Sequence, residues 1–198
     1  MNQQTKVRFS AAAVCAIAVG FFSCTSGSAV RATTLMRMTL AQMAHAAQEI
    51  VRAQCVANRT AWDQGEIWTF TTFRVEETWR GAANGQITVR LLGGRTGQIT
   101  SIISGVPRFR AGEEVVLFLQ RTSRGDFSIV SWEQGTFRIR RNSASGGENV
   151  TQDTASLETF DPATRRFIVS GVRAMPIVRL REQIEAALGG DPGASTNP

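Results

Sequence analysis

Few side chains in this sequence could do chemistry once the first 32 residues are set aside. His45 is then the only histidine, Cys55 is the only cysteine, and no lysine or tyrosine is left. A serine triad would have to use His45 as its base. A thiol enzyme would need a Cys55–His45 dyad. Schiff-base chemistry would need a lysine amine, and none remains. We predict instead that His45 is an ordinary exposed helix residue and that Cys55 is a buried, inert thiol.

The remaining polar groups do not match a metal, phosphate or glycosidase site. A structural zinc site needs four Cys or His ligands, and only two such residues remain. Neighbouring residues on a strand point to opposite faces, so neither Glu76–Glu77 nor Glu113–Glu114 should converge on one bond. The sequence therefore predicts no enzyme, no cofactor and no metal. The carboxylates that could serve calcium lack the dense spacing of a known cage: Asp126, Asp153, Glu158 and Asp161.

Two helices are expected at the ends of the domain that positions these groups. Thr39 and Gln42 have the spacing of a capping box, and an apolar stripe follows it. Pro176 suits the first turn of a second helix, and Gly189 suits a left-handed cap after its end. The stripe of the first helix has spacings of three and four residues: Met36, Leu40, Met43, Ala47 and Ile50.

Alternating apolar and polar residues predict five strands between the helices. Asp63-Gln64-Gly65 predicts a hairpin between the first two strands. Five antiparallel strands flanked by helices favour a small closed barrel with an amphipathic helix at each end, because closure removes exposed sheet edges. The strands are expected at residues 50–60, 66–79, 86–92, 114–120 and 127–139. The fifth is expected to be interrupted near Gln134-Gly135.

Three further segments connect or follow these elements. Residues 93–112 are glycine-rich but apolar, which indicates a structured loop lying over the barrel mouth. Residues 142–162 are polar and predict a mobile loop, with a short strand at 166–169 after it. The tail at 190–198 is expected to be disordered. The domain itself is expected to span residues 33–189.

The first 32 residues have the layout of an export signal. Lys6 and Arg8 precede the apolar run Phe9–Phe22, and signal peptidase could cut after Ala29 or Ala32. A membrane-spanning helix needs about 20 apolar residues, so cleavage is favoured over an uncleaved anchor, and no transmembrane segment should remain. Lipid anchoring through Cys24 is the other alternative. The expected destination is the periplasm or the exterior.

Charge gives no sign of a nucleic-acid partner. The net charge is +6 over the whole chain, but it falls to +3 when the leader through Ala32 is removed. Arg74, Arg90 and Arg138 alternate with apolar neighbours, which predicts solvated strand faces. A nucleic-acid surface would need clustered basic residues.

Four stretches of the strand pattern carry a resemblance to a known family: Ile50–Ala53, Phe73–Gly81, Phe109–Glu113 and Val115–Leu119. The pattern resembles the netrin-like modules, which share an OB-type barrel with the tissue inhibitors of metalloproteinases. It is also similar to a group of uncharacterised exported bacterial proteins with the same order of a helix, five strands and a final helix. The resemblance covers roughly residues 39–188 and implies a five-stranded OB-like closed barrel. Inhibition through an N-terminal cysteine does not transfer, because no cysteine lies between the cleavage sites and Cys55.

These observations predict an exported, non-enzymatic binding module whose partner is a protein or an envelope polymer. Contact is expected through the 93–112 loop and the nearby barrel rim, where OB barrels stack ligands on aromatic side chains. The alternative is a metalloprotease-associated inhibitor or chaperone that acts through a rim loop. The predicted contact residues are Trp62, Trp68, Phe70, Ile99, Ile102, Ile103 and Phe109.

Overall fold

Alternating apolar residues produce a mainly β structure, as predicted. The computed structural model describes residues 35–141, 146–154 and 157–189, all of which belong to the compact unit Thr34–Pro198. The leader with its cleavage sites, Cys24 and the tail lie outside the described residues. The helices are α1 (Leu40–Ala46) and α2 (Ile177–Gly189), with a 3-10 helix at Trp132–Gly135.

The strands are β1 (Leu35–Met36), β2 (Glu49–Asp63), β3 (Glu66–Arg80), β4 (Gln86–Leu92), β5 (Gly94–Thr96), β6 (Ile99–Ser101), β7 (Glu114–Arg121), β8 (Phe127–Ile129), β9 (Thr136–Arg141), β10 (Glu148–Thr151), β11 (Glu158–Asp161), β12 (Arg166–Val169) and β13 (Met175–Pro176).

Five strands of the main sheet pair around a ring. Proceeding around it, β2 pairs with β3, β3 with β4, β4 with β8, β8 with β7, and β7 with β2 again. The β4–β8 junction is parallel and consists of the single pair Val89 with Phe127, whereas the other four junctions are antiparallel. Strands β9, β10 and β13 extend this sheet from β7.

The core has two parts, on opposite faces of β2 and β7. Val51, Leu117 and Leu119 pack with residues of β3, β4 and β8. Ile50 and Phe118 point the other way and pack with both helices, β9 and β10. A strand buried on both faces reads as a continuous apolar run, which explains the unbroken apolar sequence at residues 115–119.

The first hairpin forms where the sequence predicted it. Gln64 and Gly65 both have positive φ, at 52° and 81°, which matches the right-handed twist of two antiparallel strands. Inward residues alternate with outward ones along β3, as its sequence indicates: Phe73 is buried and Arg74 is exposed.

Helix α1 begins with the predicted capping box. The Thr39 hydroxyl accepts from the Gln42 amide, and the Gln42 side chain accepts from the Thr39 amide. The helix ends at Ala46, earlier than the apolar stripe suggested, because the chain turns extended at Ala47 and Ile50 already lies in β2. The expectation of one helix at each end of a barrel is not confirmed, since buried residues of α1 and α2 share one cluster.

The fifth predicted strand is interrupted near Gln134-Gly135, as expected, and forms two strands, β8 and β9. Ser131 and Trp132 both have positive φ and start the 3-10 turn between these strands. Two other local predictions are wrong. The segment at 142–162 contains β10 and β11 rather than one long loop. Gly189 is the last helical residue and does not have the positive φ expected of a cap. The short strand at 166–169 is confirmed.

Neither described helix is both long enough and apolar enough to cross a membrane.

Candidate functional site

The 93–112 segment is a short hairpin followed by an extended stretch, instead of one irregular loop. β5 pairs with β6 from Gly94 to Ser101. At its base, the Gly93 amide donates to the Ile67 carbonyl at 2.7 Å. A Cβ on Gly94 would meet the Thr69 hydroxyl at 2.4 Å. The hairpin therefore lies tightly against the ends of β2 and β3, and only glycine permits this close approach.

A cavity of about 200 Å³ opens between this hairpin and the ring. Its apolar wall includes three residues of the strand ends and the segment after the hairpin: Leu91, Ile103 and Phe109. Phe109 is also a core residue, with its ring 4.9 Å from that of Phe73 in an edge-on arrangement. Two of the predicted contact residues, Ile103 and Phe109, thus line one cavity.

Three polar side chains of this cavity are already hydrogen-bonded within the chain. The Thr71 hydroxyl donates to Asn58 Oδ1 at 2.7 Å, and Asn58 Nδ2 donates to the Phe109 carbonyl at 2.9 Å. The Thr69 hydroxyl donates to the Gly93 carbonyl at 2.7 Å. Satisfied polar groups need no further partner, so these three side chains favour an apolar ligand group, with Arg108 at the edge of the cavity.

Three other predicted contact residues are exposed. Trp62 pairs with Ile67, whose carbonyl binds the base of the hairpin, so Trp62 lies at the same end of the ring. Ile99 and Ile102 belong to the hairpin and the residues just after it. The exposed fractions are 51% for Trp62, 54% for Ile99 and 72% for Ile102. We call Trp62, Ile99, Ile102 and the adjoining cavity the hairpin surface.

Trp68 and Phe70 lie on the outer face of β3, where arginines stack on them. The guanidinium carbon of Arg90 lies 4.2 Å from the Trp68 ring centroid, and that of Arg59 lies 4.7 Å from the Phe70 centroid. Such cation–π contacts stabilise the face by roughly 0.5–1 kcal/mol each at exposed sites. Each of these two rings therefore already has a stacking partner within the chain.

Cys55 and His45 have the surroundings that the sequence predicted. Cys55 is buried in β2, and burial is the main reason why the pKa of its thiol is raised. A protonated thiol is a poor nucleophile. His45 is exposed in the last turn of α1. Over the described ranges, no three His, Cys, Asp or Glu side chains are grouped so that they could hold a metal ion.

A buried charge cluster is the feature that sequence reasoning missed. Arg138 was expected on a solvated face but is only 8% exposed. Its Nη1 lies 2.6 Å from Glu113 Oε1, and its Nη2 lies 3.1 Å from Glu133 Oε1. Burial raises the pKa of the Glu133 carboxyl to about 7. Two buried atoms of this cluster, Glu133 Oε2 and Arg138 Nε, have no hydrogen-bond partner among the residues that the structure describes.

A second charge cluster surrounds Arg52, which lies on β2. Its guanidinium reaches Glu148 at 2.7 Å, Glu114 at 2.9 Å and Glu76 at 3.3 Å. Glu77 lies 3.8 Å from the same group, so Glu76 and Glu77 converge, against expectation. Register shifts between β2 and β3 occur on both sides of Arg52, and such bulges redirect side chains.

The chain matches no model in a scan of protein families, and a search of curated proteins finds no similar sequence.

Proposed function

We propose that this protein is an exported, non-enzymatic binding module that takes a protein or envelope-polymer partner on its hairpin surface. The observation that carries the proposal is the apolar cavity with an internally bonded polar floor, next to the exposed Ile99, Ile102 and Trp62. An apolar patch of this kind on a protein surface marks an interaction site more often than scattered apolar residues do. A protein segment that inserts an apolar side chain is the partner that fits best.

We further propose that the ring is an OB-like closed barrel. In chain order, the strands around the ring are the first, second, third, fifth and fourth of the five. The third and fifth ring strands, β4 and β8, are the parallel pair. This order and this one parallel junction support the resemblance to netrin-like modules, and a barrel of this type offers its rim loops for binding.

The test is a pair of matched substitutions and a capture assay. Replacing Ile99 and Ile102 with Asp should abolish capture of partners from the exported fraction, because it places charges on the apolar contact. Val178 is 65% exposed on α2, so Val178→Asp is the control and should capture normally. Both variants should unfold at the wild-type midpoint. Equal capture by all three proteins would reject the hairpin surface as the binding site.

The runner-up function, a metalloprotease-associated inhibitor or chaperone, would use the same surface. Titration of the protein against co-exported metalloproteases separates the two: inhibition that Ile102→Asp removes would support the runner-up, and no inhibition at micromolar protein would eliminate it.

Export has its own test. Mass spectrometry of the protein recovered outside the cytoplasm should give a chain that begins at Val30 or Thr33. A chain that begins at an acylated Cys24 would contradict cleavage at those two positions.

A further inference from the structure

A second cavity, of about 670 Å³, is lined by an unusual number of arginines. It adjoins the first cavity, because Arg108 and Phe109 line both. The arginines come from the segment after the hairpin and from β9. They are Arg108, Arg110, Arg138, Arg140 and Arg141.

Two of the three carboxylates in this lining are already neutralised. Glu113 Oε1 lies 2.6 Å from Arg138 Nη1. Glu114 binds Arg52 at 2.9 Å and Arg141 at 3.0 Å. The third carboxylate is that of Asp153.

The other three arginines have no carboxylate within 4 Å in the part of the chain that the structure describes. The Arg108 side chain donates to the Ser101 carbonyl at 3.4 Å, and the side chains of Arg110 and Arg140 are exposed. Arg138 and Arg141 are neutralised, since each contacts two glutamates. The three remaining arginines, set against the one carboxylate of Asp153, give the lining an unpaired charge of +2. Like charges gathered around one cavity repel one another unless an anion enters.

We propose that this cavity binds a ligand that carries a dianionic phosphate group. Guanidinium groups bind phosphate through two parallel N–H donors, and a phosphate dianion neutralises the excess charge, whereas one carboxylate neutralises only half of it. The cavity is far larger than one phosphate, so the group is expected to be part of a larger molecule. A soluble phosphate ester and a phospholipid headgroup share this chemistry.

The experiment measures binding of two probes by calorimetry at low ionic strength: inorganic pyrophosphate, and phosphatidylcholine vesicles with and without phosphatidic acid. The test variant replaces Arg110 and Arg140 with Gln, which leaves the first cavity untouched. The control replaces Arg166 and Arg179, two exposed arginines elsewhere, and keeps the same net charge. We expect saturable binding that weakens about tenfold or more in the test variant only.

Each result decides the matter, and a wild-type protein that binds neither probe saturably would overturn the proposal. Pyrophosphate binding indicates a soluble ligand, binding only to vesicles that contain phosphatidic acid indicates a headgroup, and either supports the proposal if the test variant loses it. Equal losses in test and control variants would mean that net charge alone attracts the probe, and would overturn it. Tighter binding of a hexaglutamate peptide than of pyrophosphate would overturn the assignment to phosphate.

Discussion

Raising the pH from 5 to 8 should destabilise this protein, and Glu133 is the reason. Its carboxyl has a pKa of about 7 in the folded chain, against an ordinary value of 4.5. Burial is the largest cause, partly opposed by the charge of Arg138. A group whose pKa is raised by folding stabilises the folded state fully below its unfolded pKa, and this stabilisation is lost as the pH rises through the folded pKa.

The size of the effect follows from the difference between the two pKa values. Each pKa unit corresponds to about 1.4 kcal/mol, so the free energy of unfolding should fall by up to about 3 kcal/mol between pH 5 and pH 8. Glu148 acts in the opposite direction but at lower pH, because its hydrogen bond with Arg52 lowers the pKa of its carboxyl. Between pH 5 and pH 8, the change in the free energy of unfolding should therefore come mainly from Glu133.

Urea unfolding at several pH values measures this dependence. Glu133→Gln should flatten it, because the neutral amide has no proton to lose, and at pH 8 the variant should be at least as stable as the wild type. Glu113→Gln is the matched control: it also removes a carboxylate that binds Arg138, but it should keep most of the slope, because the charge of Glu113 is the smallest of the causes that shift the pKa of Glu133. A wild-type stability that is constant or rising over this range, or an unchanged slope in Glu133→Gln, would refute the reasoning.

Three further predictions concern single residues. Arg52→Ala should lower the free energy of unfolding by about 3 kcal/mol, measured with urea, because it leaves several partly buried glutamates side by side; a loss below 1 kcal/mol would contradict the role of the cluster. Gly135→Ala should lower the free energy of unfolding by at least about 2 kcal/mol in the same assay, since its Cβ would meet the Val130 carbonyl oxygen at 2.2 Å. Gly189→Ala is the control and should be neutral or stabilising, because a Cβ there would meet no atom of the described residues within 4 Å. Cys55 should react with a thiol reagent only after unfolding, and rapid labelling of the native protein would show that the thiol is accessible.

Local features of the fold were predictable from the sequence because neighbouring residues determine them. The capping box of Thr39 and Gln42 and the hairpin at Gln64–Gly65 depend on contacts within a few residues. Strand β4 begins and ends at the predicted residues, since its alternation is uninterrupted. The interruption near Gln134-Gly135 was predicted, but its form as a 3-10 turn was not, because Ser131 and Trp132 adopt positive φ without glycine, which tertiary contacts must enforce.

The candidate sites also contain features that the sequence predicted and features that it did not. Exposure of Ile99 and Ile102 follows from apolar residues in a glycine-rich connection, which the sequence displays. Burial of Arg138 does not, because its alternation with apolar neighbours also describes a solvated face. Only the fold shows that Glu113 and Glu133, at 25 and 5 residues from Arg138, meet it. The sequence separation of such residues does not predict that their side chains form an ion pair.

The junction between β4 and β8 has the fewest paired residues in the ring and is the place where the ring should open first. Every other junction has several residue pairs, whereas this one rests on Val89 and Phe127 alone. Local opening should therefore begin here. The β4 amides that face β8 should exchange their hydrogens before the amides that bond β2 to β3. When β4 separates from β8, it becomes an edge strand with unpaired backbone groups and inward apolar side chains. An edge strand of this kind can pair with a strand of another chain. Conditions that open this junction should therefore also favour strand exchange between copies of the protein.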